Sequence, residues 1–247
     1  MKTLIQALIA TLLAIFLYSQ ALTAQEKDNN APVHQVSYRI FFAPQMQYRS
    51  LFSNGSEQTA VQERNETEIA QFGYTTGIGA EYALSEHWSL SAGIAVSDRG
   101  FQTRTRNLQF VSQTAQDQSV IRQSYIAYHF LAVDFPLGVQ YRFAHENNWT
   151  FFGSLEVLPS FAIQRTKALW VNSENAWTAT QGTRLRGFDR LPILLKGSLG
   201  ADYRISNTFA VRAAAHFQHG LTAVNPNLTT RDYLYAAGVE LGLAWTP

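Results

Sequence analysis

The sequence predicts an all-β fold, an eight-stranded antiparallel up-and-down transmembrane β-barrel with four long extracellular loops and short periplasmic turns, and three observations carry that prediction. Eight segments alternate apolar residues with small or polar ones at a period of two. The links between them alternate strictly between long and short. The charged residues within the segments fall on the face opposite the apolar one.

The chain opens with Met1-Lys2-Thr3, runs apolar from Leu4 to Leu17 with only Gln6 and Thr11 polar, and reaches small residues at Ser19, Ala21 and Ala24. One leading cation, a short apolar run and small residues make a secretory signal peptide, because a spanning helix needs about 20 apolar residues. Residues 1–24 are read as that signal, with cleavage after Ala24 leaving Gln25 first and Ser19-Gln20-Ala21 offering a competing site. Residues 25–34 are polar and read as a disordered periplasmic lead, and residues 35–247 as the barrel domain. The most apolar later stretch, Phe130 to Tyr141, is interrupted by Asp134 and Pro136, which argues against a helical span.

The strands are predicted at about Val36 to Arg49, Phe72 to Leu84, Trp88 to Ser97, Ser124 to Phe143, Trp149 to Gln164, Leu191 to Ile205, Thr208 to Gly220 and Tyr233 to Trp245. The clearest is the third, where Trp88, Leu90, Ala92, Ile94 and Val96 alternate with Ser89, Ser91, Gly93, Ala95 and Ser97. Polar links are read at Ser50 to Glu68, Thr103 to Arg122, Thr166 to Arg190 and Leu221 to Arg231; short turns fall at Ser85 to His87, Ala144 to Asn148 and Ser206 to Asn207. This order puts every long link at one end, as in outer-membrane barrels, and an even strand count returns both termini to the periplasm.

A soluble barrel would bury the apolar face, so the charges decide which face points inward. Arg39, Glu81, Asp134, Arg142, Glu156, Lys196, Asp202, Arg204, Arg212 and Glu240 lie on the non-apolar face, five cations and five anions. In a soluble core each would carry a heavy desolvation cost; in a barrel lumen they can pair or stay hydrated while the apolar face meets lipid. They are expected to form a structural network that plugs the lumen, since eight strands leave an interior that side chains fill. Inward Gly73, Gly77, Gly79, Gly93, Gly138, Gly200, Gly238 and Gly242 would make room for them or allow curvature. Aromatics gather at both strand ends: Tyr38, Trp88, Trp149 and Trp245 near the short turns, and Phe72, Phe161, Phe217 and Tyr235 near the long links, as interfacial girdles do.

Cysteine is absent, so an exported chain of this size needs a large sheet rather than disulfides. A net charge of +1, with basic residues scattered among acidic ones, argues against a nucleic-acid partner. The expected surroundings are outer-membrane lipid and the expected location is the bacterial outer membrane.

The sequence resembles the PorT-like outer-membrane β-barrel family typical of Bacteroidota. The resemblance rests on Leu84-Ser85-Glu86-His87-Trp88-Ser89-Leu90-Ser91-Ala92-Gly93-Ile94 followed by Asp98-Arg99-Gly100, on Val133-Asp134-Phe135-Pro136-Leu137-Gly138-Val139-Gln140-Tyr141-Arg142-Phe143, and on His219-Gly220-Leu221-Thr222. It implies a small outer-membrane barrel without an assigned activity; the name-giving member is associated with protein secretion. Such barrels usually end in an aromatic residue, whereas here Thr246 and Pro247 follow Trp245.

The residues offer no catalytic, cofactor or metal site. His216 and His219 stand three apart, which turns them to opposite faces of a strand. The same parity separates His129 from Asp134, and Ser124 sits on no strained nucleophile turn. The expected function is a non-enzymatic scaffold or interaction module, with envelope or secretion proteins as partners through the loops or turns. A narrow transporter or channel for small solutes is the alternative, and a lipid-modifying or proteolytic barrel enzyme a further one.

Overall fold

The computed structural model describes residues 35–53, 58–110, 120–173, 176–179, 183–184, 192–224 and 230–247. The expected signal and lead, residues 1–34, lie outside the described residues.

In chain order the elements are β1 (Val36–Ser53), a helix α1 (Gln58–Thr67), β2 (Glu68–Ile69), β3 (Gln71–Ala83), β4 (Trp88–Thr103), β5 (Arg106–Phe110), β6 (Val120–Asp134), β7 (Leu137–Glu146), β8 (Trp149–Ser173), β9 (Ala176–Ala179), β10 (Thr183–Arg184), β11 (Ile193–Arg204), β12 (Phe209–Gly220) and β13 (Thr230–Trp245). Pro136 interrupts one stave: β6 and β7 both pair with β4 on one side and β8 on the other, so they run as a single strand across the wall. The ring then closes with eight staves, β1, β3, β4, β6/β7, β8, β11, β12 and β13, and β13 returns to β1 from Tyr38↔Trp245 to Ser53↔Thr230. Every neighbouring pair is antiparallel, and closure leaves no edge for lipid to satisfy.

The period-two pattern resolves into two faces. Outward Ile40 and Ile78 are each 58 % exposed and Leu199 64 %, while inward Glu156 and Phe152 are each 2 % exposed. A continuous wall of exposed aliphatic side chains around buried charges suits hydrocarbon outside and a polar interior within. Aromatic pairs edge the wall at the short-turn end, with ring centroids 5.7 Å apart for Tyr38 and Trp245 and 4.8 Å for both Trp88–Tyr141 and Trp149–Tyr203.

Local sequence explains the short turns. Ser85 Oγ accepts from the N–H groups of His87 and Trp88, and Ser206 Oγ does the same for Thr208 and Phe209, so two hairpins turn on one serine-based motif. The third turn is tighter than predicted: β7 reaches Glu146, and Asn147 takes a φ of 52°, a left-handed conformation that asparagine tolerates. A bulge at Phe143 precedes it, where Arg142 faces Phe152 but Ala144 faces Phe151.

The links expected to be loops hold more structure than that. α1 fills part of the first, β5 pairs onto β6 in the second, and β8 runs nine residues past Gln164 to Ser173, where β9 and β10 pair with it. The ladder therefore continues as a sheet beyond the membrane band. Tyr125 stacks against Trp170 at 6.0 Å and meets Trp177 at 5.0 Å on this extension. Its composition hides the strand period from the sequence, because Arg165-Thr166-Lys167 is followed by four apolar residues, Ala168 to Val171, with no alternation.

Beside β4 the ladder splits between β2 and β3: Ile69 and Tyr74 stand five positions apart, but their partners Gln102 and Asp98 only four. Gln47 fills the split from β1. Its Nε2 donates to the Asp98 carbonyl at 2.6 Å and its Oε1 accepts from Gly100 N–H at 3.2 Å. Gly73 makes this possible, since a Cβ there would lie 1.2 Å from Gln47 Nε2.

Candidate functional site

The lumen is the candidate site, and its contents fall into layers along β1, whose inward residues are Arg39, Phe41, Ala43, Gln45, Gln47 and Arg49. At the short-turn end a cup of about 610 Å³ opens to the outside, lined by Glu81, Arg142, Asp202, Arg204 and Arg212 among others. Arg204 is exposed at this mouth. Arg142 lies 3.8 Å from Glu81. Arg212 closes the inner end: its Nε and Nη2 donate to Asp202 at 2.7 and 2.9 Å, and its guanidinium also clasps Glu81 and packs over Phe152 with 4.4 Å to the ring centre.

The next layer joins opposite walls. Arg39 Nη2 donates to Glu156 at 2.7 Å, and Nη1 lies 3.4 Å from Glu240 and 3.6 Å from Glu81. Lys196 Nζ donates to Glu240 at 2.5 Å and lies 3.2 Å from Glu156. Three cations, Arg39, Lys196 and Arg212, thus interleave with Glu81, Glu156 and Glu240, and each of these side chains is nearly fully buried. Charges held this closely in low dielectric stabilise one another only as a complete set. Glycine gives them room: a Cβ at Gly138 would come within 2.8 Å of Glu156 Cγ, and one at Gly79 within 3.0 Å of Arg39 Nε.

A belt of neutral polar groups follows. Gln45 Oε1 accepts from Gln218 Nε2 at 3.2 Å and lies 3.0 Å from His216 Nε2, while Gln45 Nε2 donates to Thr75 at 3.2 Å. Asp134 forms its own pair, held by Arg99 at 2.9 and 2.5 Å and by Ser160 Oγ at 2.5 Å. Toward the long-link end, Phe101, Phe130, Val224 and Leu234 form a buried apolar layer, with Tyr48 and Tyr128 packed against it. Arg49 lies 3.7 Å above the Phe101 ring and is gripped by Glu68, with Nε to Oε2 at 2.9 Å, and by Asp232 at 2.5 Å. Val224 comes from the link after β12, folded back so that its N–H donates to Asp232 O at 2.8 Å.

Of the ten charges read from the sequence, seven gather in or beside the central layer: Arg39, Glu81, Glu156, Lys196, Arg212, Glu240 and Asp202. Arg142 and Arg204 line the mouth, and Asp134 stands apart with Arg99. Arg49, Glu68, Arg99 and Asp232 were not among the ten. Arg49 and Arg99 keep the inward parity of Arg39 and Ser97, a signal already present within the predicted first strand for Arg49 and visible for Arg99 once the strand from Trp88 is extended past Ser97; Glu68 sat at the end of a segment read as link, and Asp232 between the last link and the last predicted strand.

The residues weighed for chemistry stay apart. His216 points into the lumen, whereas His219 stacks between Tyr233 and Tyr235 at 6.4 Å from each. His129 pairs with Asp98 at 3.1 Å and contacts Gln71, not Asp134, and Ser124 Oγ donates to the Arg106 carbonyl at 3.5 Å. Among the described residues no group of three His, Asp or Glu side chains could hold a metal ion.

The family comparison agrees with this architecture. The sequence profile of a family described as "outer membrane protein beta-barrel domain" matches residues 24–225. A search of curated protein sequences found no match. Among solved structures, the chain is similar to the outer membrane protein OprG from Pseudomonas aeruginosa, at 12 % identity over 86 % of this chain and 96 % of that one, with a TM-score of 0.41. It is also similar to Neisserial surface protein A, at 12 % identity over 83 % and 96 % with a TM-score of 0.35. The outer membrane protease OmpT from Escherichia coli matches at 9 % identity over 90 % and 99 %, with a TM-score of 0.36.

Proposed function

The chain belongs to the outer-membrane β-barrel domain family, and on that premise we propose that it is a closed, non-enzymatic barrel of the bacterial outer membrane that serves as a scaffold or interaction module. The observation that carries this reading is the filled lumen. Ion pairs bridge opposite walls in the central layer, and the apolar layer beneath Arg49 closes the long-link end, so the interior is spent on stability and register rather than on passage.

Binding then falls to what projects beyond the wall. The sheet built from β5, β6, β8 and β9 carries Tyr125, Trp170 and Trp177, with Trp177 39 % exposed, and aromatic side chains of this kind anchor protein interfaces. Envelope or secretion proteins are the proposed partners. The three stretches that resemble PorT-like barrels support placing the chain with that group.

The charged lumen favours a second reading, a narrow transporter for small solutes. Swelling of proteoliposomes in isosmotic amino acid or sugar separates the two. The scaffold reading expects the rate of protein-free vesicles; faster swelling would overturn it in favour of the transporter.

A further inference from the structure

The lumen is filled at its centre and open at its periplasmic end, and the strands show why. Toward the rim from the central charges, the next inward positions hold small residues: Ser37 beyond Arg39, Ala83 beyond Glu81 and Ala210 beyond Arg212. Ala144 and Ala244 line the same space. The result is the cup of about 610 Å³ with Arg212 at its floor, within the range of roughly 300–1,000 Å³ typical of small-molecule sites.

The charges lining this cup are balanced but not all paired. Three carboxylates, Glu81, Glu86 and Asp202, share it with three guanidiniums, Arg142, Arg204 and Arg212. At the floor, Arg212 holds both Glu81 and Asp202. Arg142 makes one loose contact, 3.8 Å from Glu81. His87 and His145 are engaged through Nδ1 by the Arg142 carbonyl and by Thr150. Glu86 and Arg204 are exposed at the mouth, and neither forms an ion pair among the described residues.

These two unpaired charges stand across the mouth from one another. Glu86 sits on the turn between β3 and β4, and Arg204 ends β11 before the turn to β12, so they lie four staves apart around the ring of eight. Eight strands spaced about 4.8 Å apart and tilted about 40° make a ring roughly 16 Å across. Side chains reaching in from both rims leave about 10 Å, the length of about three extended residues. Arg142, on β7, comes between the two in ring order.

We propose that the cup binds a short peptide with free termini, its ammonium at Glu86, its carboxylate at Arg204 and its backbone carbonyls beside Arg142. A guanidinium presents paired donors that match a carboxylate. A simple anion would meet Glu86 and a simple cation would meet Arg204 and Arg142, so the balanced lining disfavours both. A single amino acid carries its two charges too close together to reach both rims. The filled central layer keeps the peptide on the periplasmic side.

The test is isothermal titration of the chain, refolded in dodecyl maltoside micelles, with trialanine. The wild type is expected to bind one peptide per chain. N-acetyl-trialanine lacks the ammonium and trialanine amide lacks the carboxylate, and each is expected to bind about tenfold more weakly, equivalent to about 1.4 kcal/mol. Glu86→Gln should weaken trialanine binding about tenfold and leave N-acetyl-trialanine unchanged. Arg204→Gln should do the same for trialanine and leave trialanine amide unchanged. Neither substitution breaks an ion pair, and the mobility difference between unboiled and boiled protein checks the fold; should a variant fail it, the blocked peptides on the wild type decide. Arg104→Gln, at the long-link end, should change nothing. Absence of saturable binding by the wild type, blocked peptides that bind as tightly as trialanine, or variants that lose affinity equally for every peptide would each overturn the proposal.

Discussion

Arg39 on β1 and Glu156 on β8 meet at 2.7 Å although their staves stand four positions apart around a ring of eight. The contact measures how little open lumen remains: two side chains from opposite walls touch at its centre, with Glu240 and Lys196 beside them. Removing one member strands the rest. Arg39→Met leaves Glu81, Glu156 and Glu240 facing Lys196, Arg212 and, at the mouth, Arg142, and we expect a loss of about 3–5 kcal/mol of folding stability, the usual cost of breaking a buried pair. Urea unfolding in detergent micelles measures it. A double-mutant cycle with Glu156→Gln should give a clear coupling energy, whereas additive effects would separate the two residues.

Phe101 anchors the apolar layer under Arg49. Phe101→Ala should cost about 3–5 kcal/mol, the range for truncating a buried aromatic. It should not open a solute path, because the central ionic layer stays intact. The same unfolding assay and proteoliposome swelling read the two parts separately.

Gly73 and Gly197 test whether glycines inside and outside the wall serve different ends. Gly73→Ala drives a methyl into the Gln47 amide and orphans the Asp98 carbonyl and Gly100 N–H that Gln47 satisfies. The expected loss is about 1–3 kcal/mol, the cost of an unmet buried polar group. Gly197→Ala meets no neighbour and should stay within about 0.5 kcal/mol of wild type, as surface changes do.

Much of the barrel is legible in the sequence because alternation, turn residues and charge placement all act locally. Arg39, Glu81, Glu156, Lys196, Arg212 and Glu240 could be assigned to one face from parity alone. Which anion each cation meets could not, since the partners of Arg39 lie 117 and 201 residues away and depend on ring closure. The upper lumen was illegible for a different reason. Glu68 lies on the two-residue strand β2, Asp232 on β13 just ahead of its predicted start, and Val224 in the link after β12 that folds back to meet Asp232, so none sat inside a segment with a clear strand period. The extension carrying Trp170 was hidden likewise, since its polar and apolar residues come in blocks rather than in alternation.

Planar-bilayer recording of the purified, refolded chain tests most directly whether the lumen is filled. With the pairs among Arg39, Glu81, Glu156, Lys196, Arg212 and Glu240 intact, the wild type should give no persistent unitary current. Stable unitary currents whose size changes in Arg212→Gln or Glu240→Gln would show an open, ion-lined path through the centre and contradict the plugged barrel.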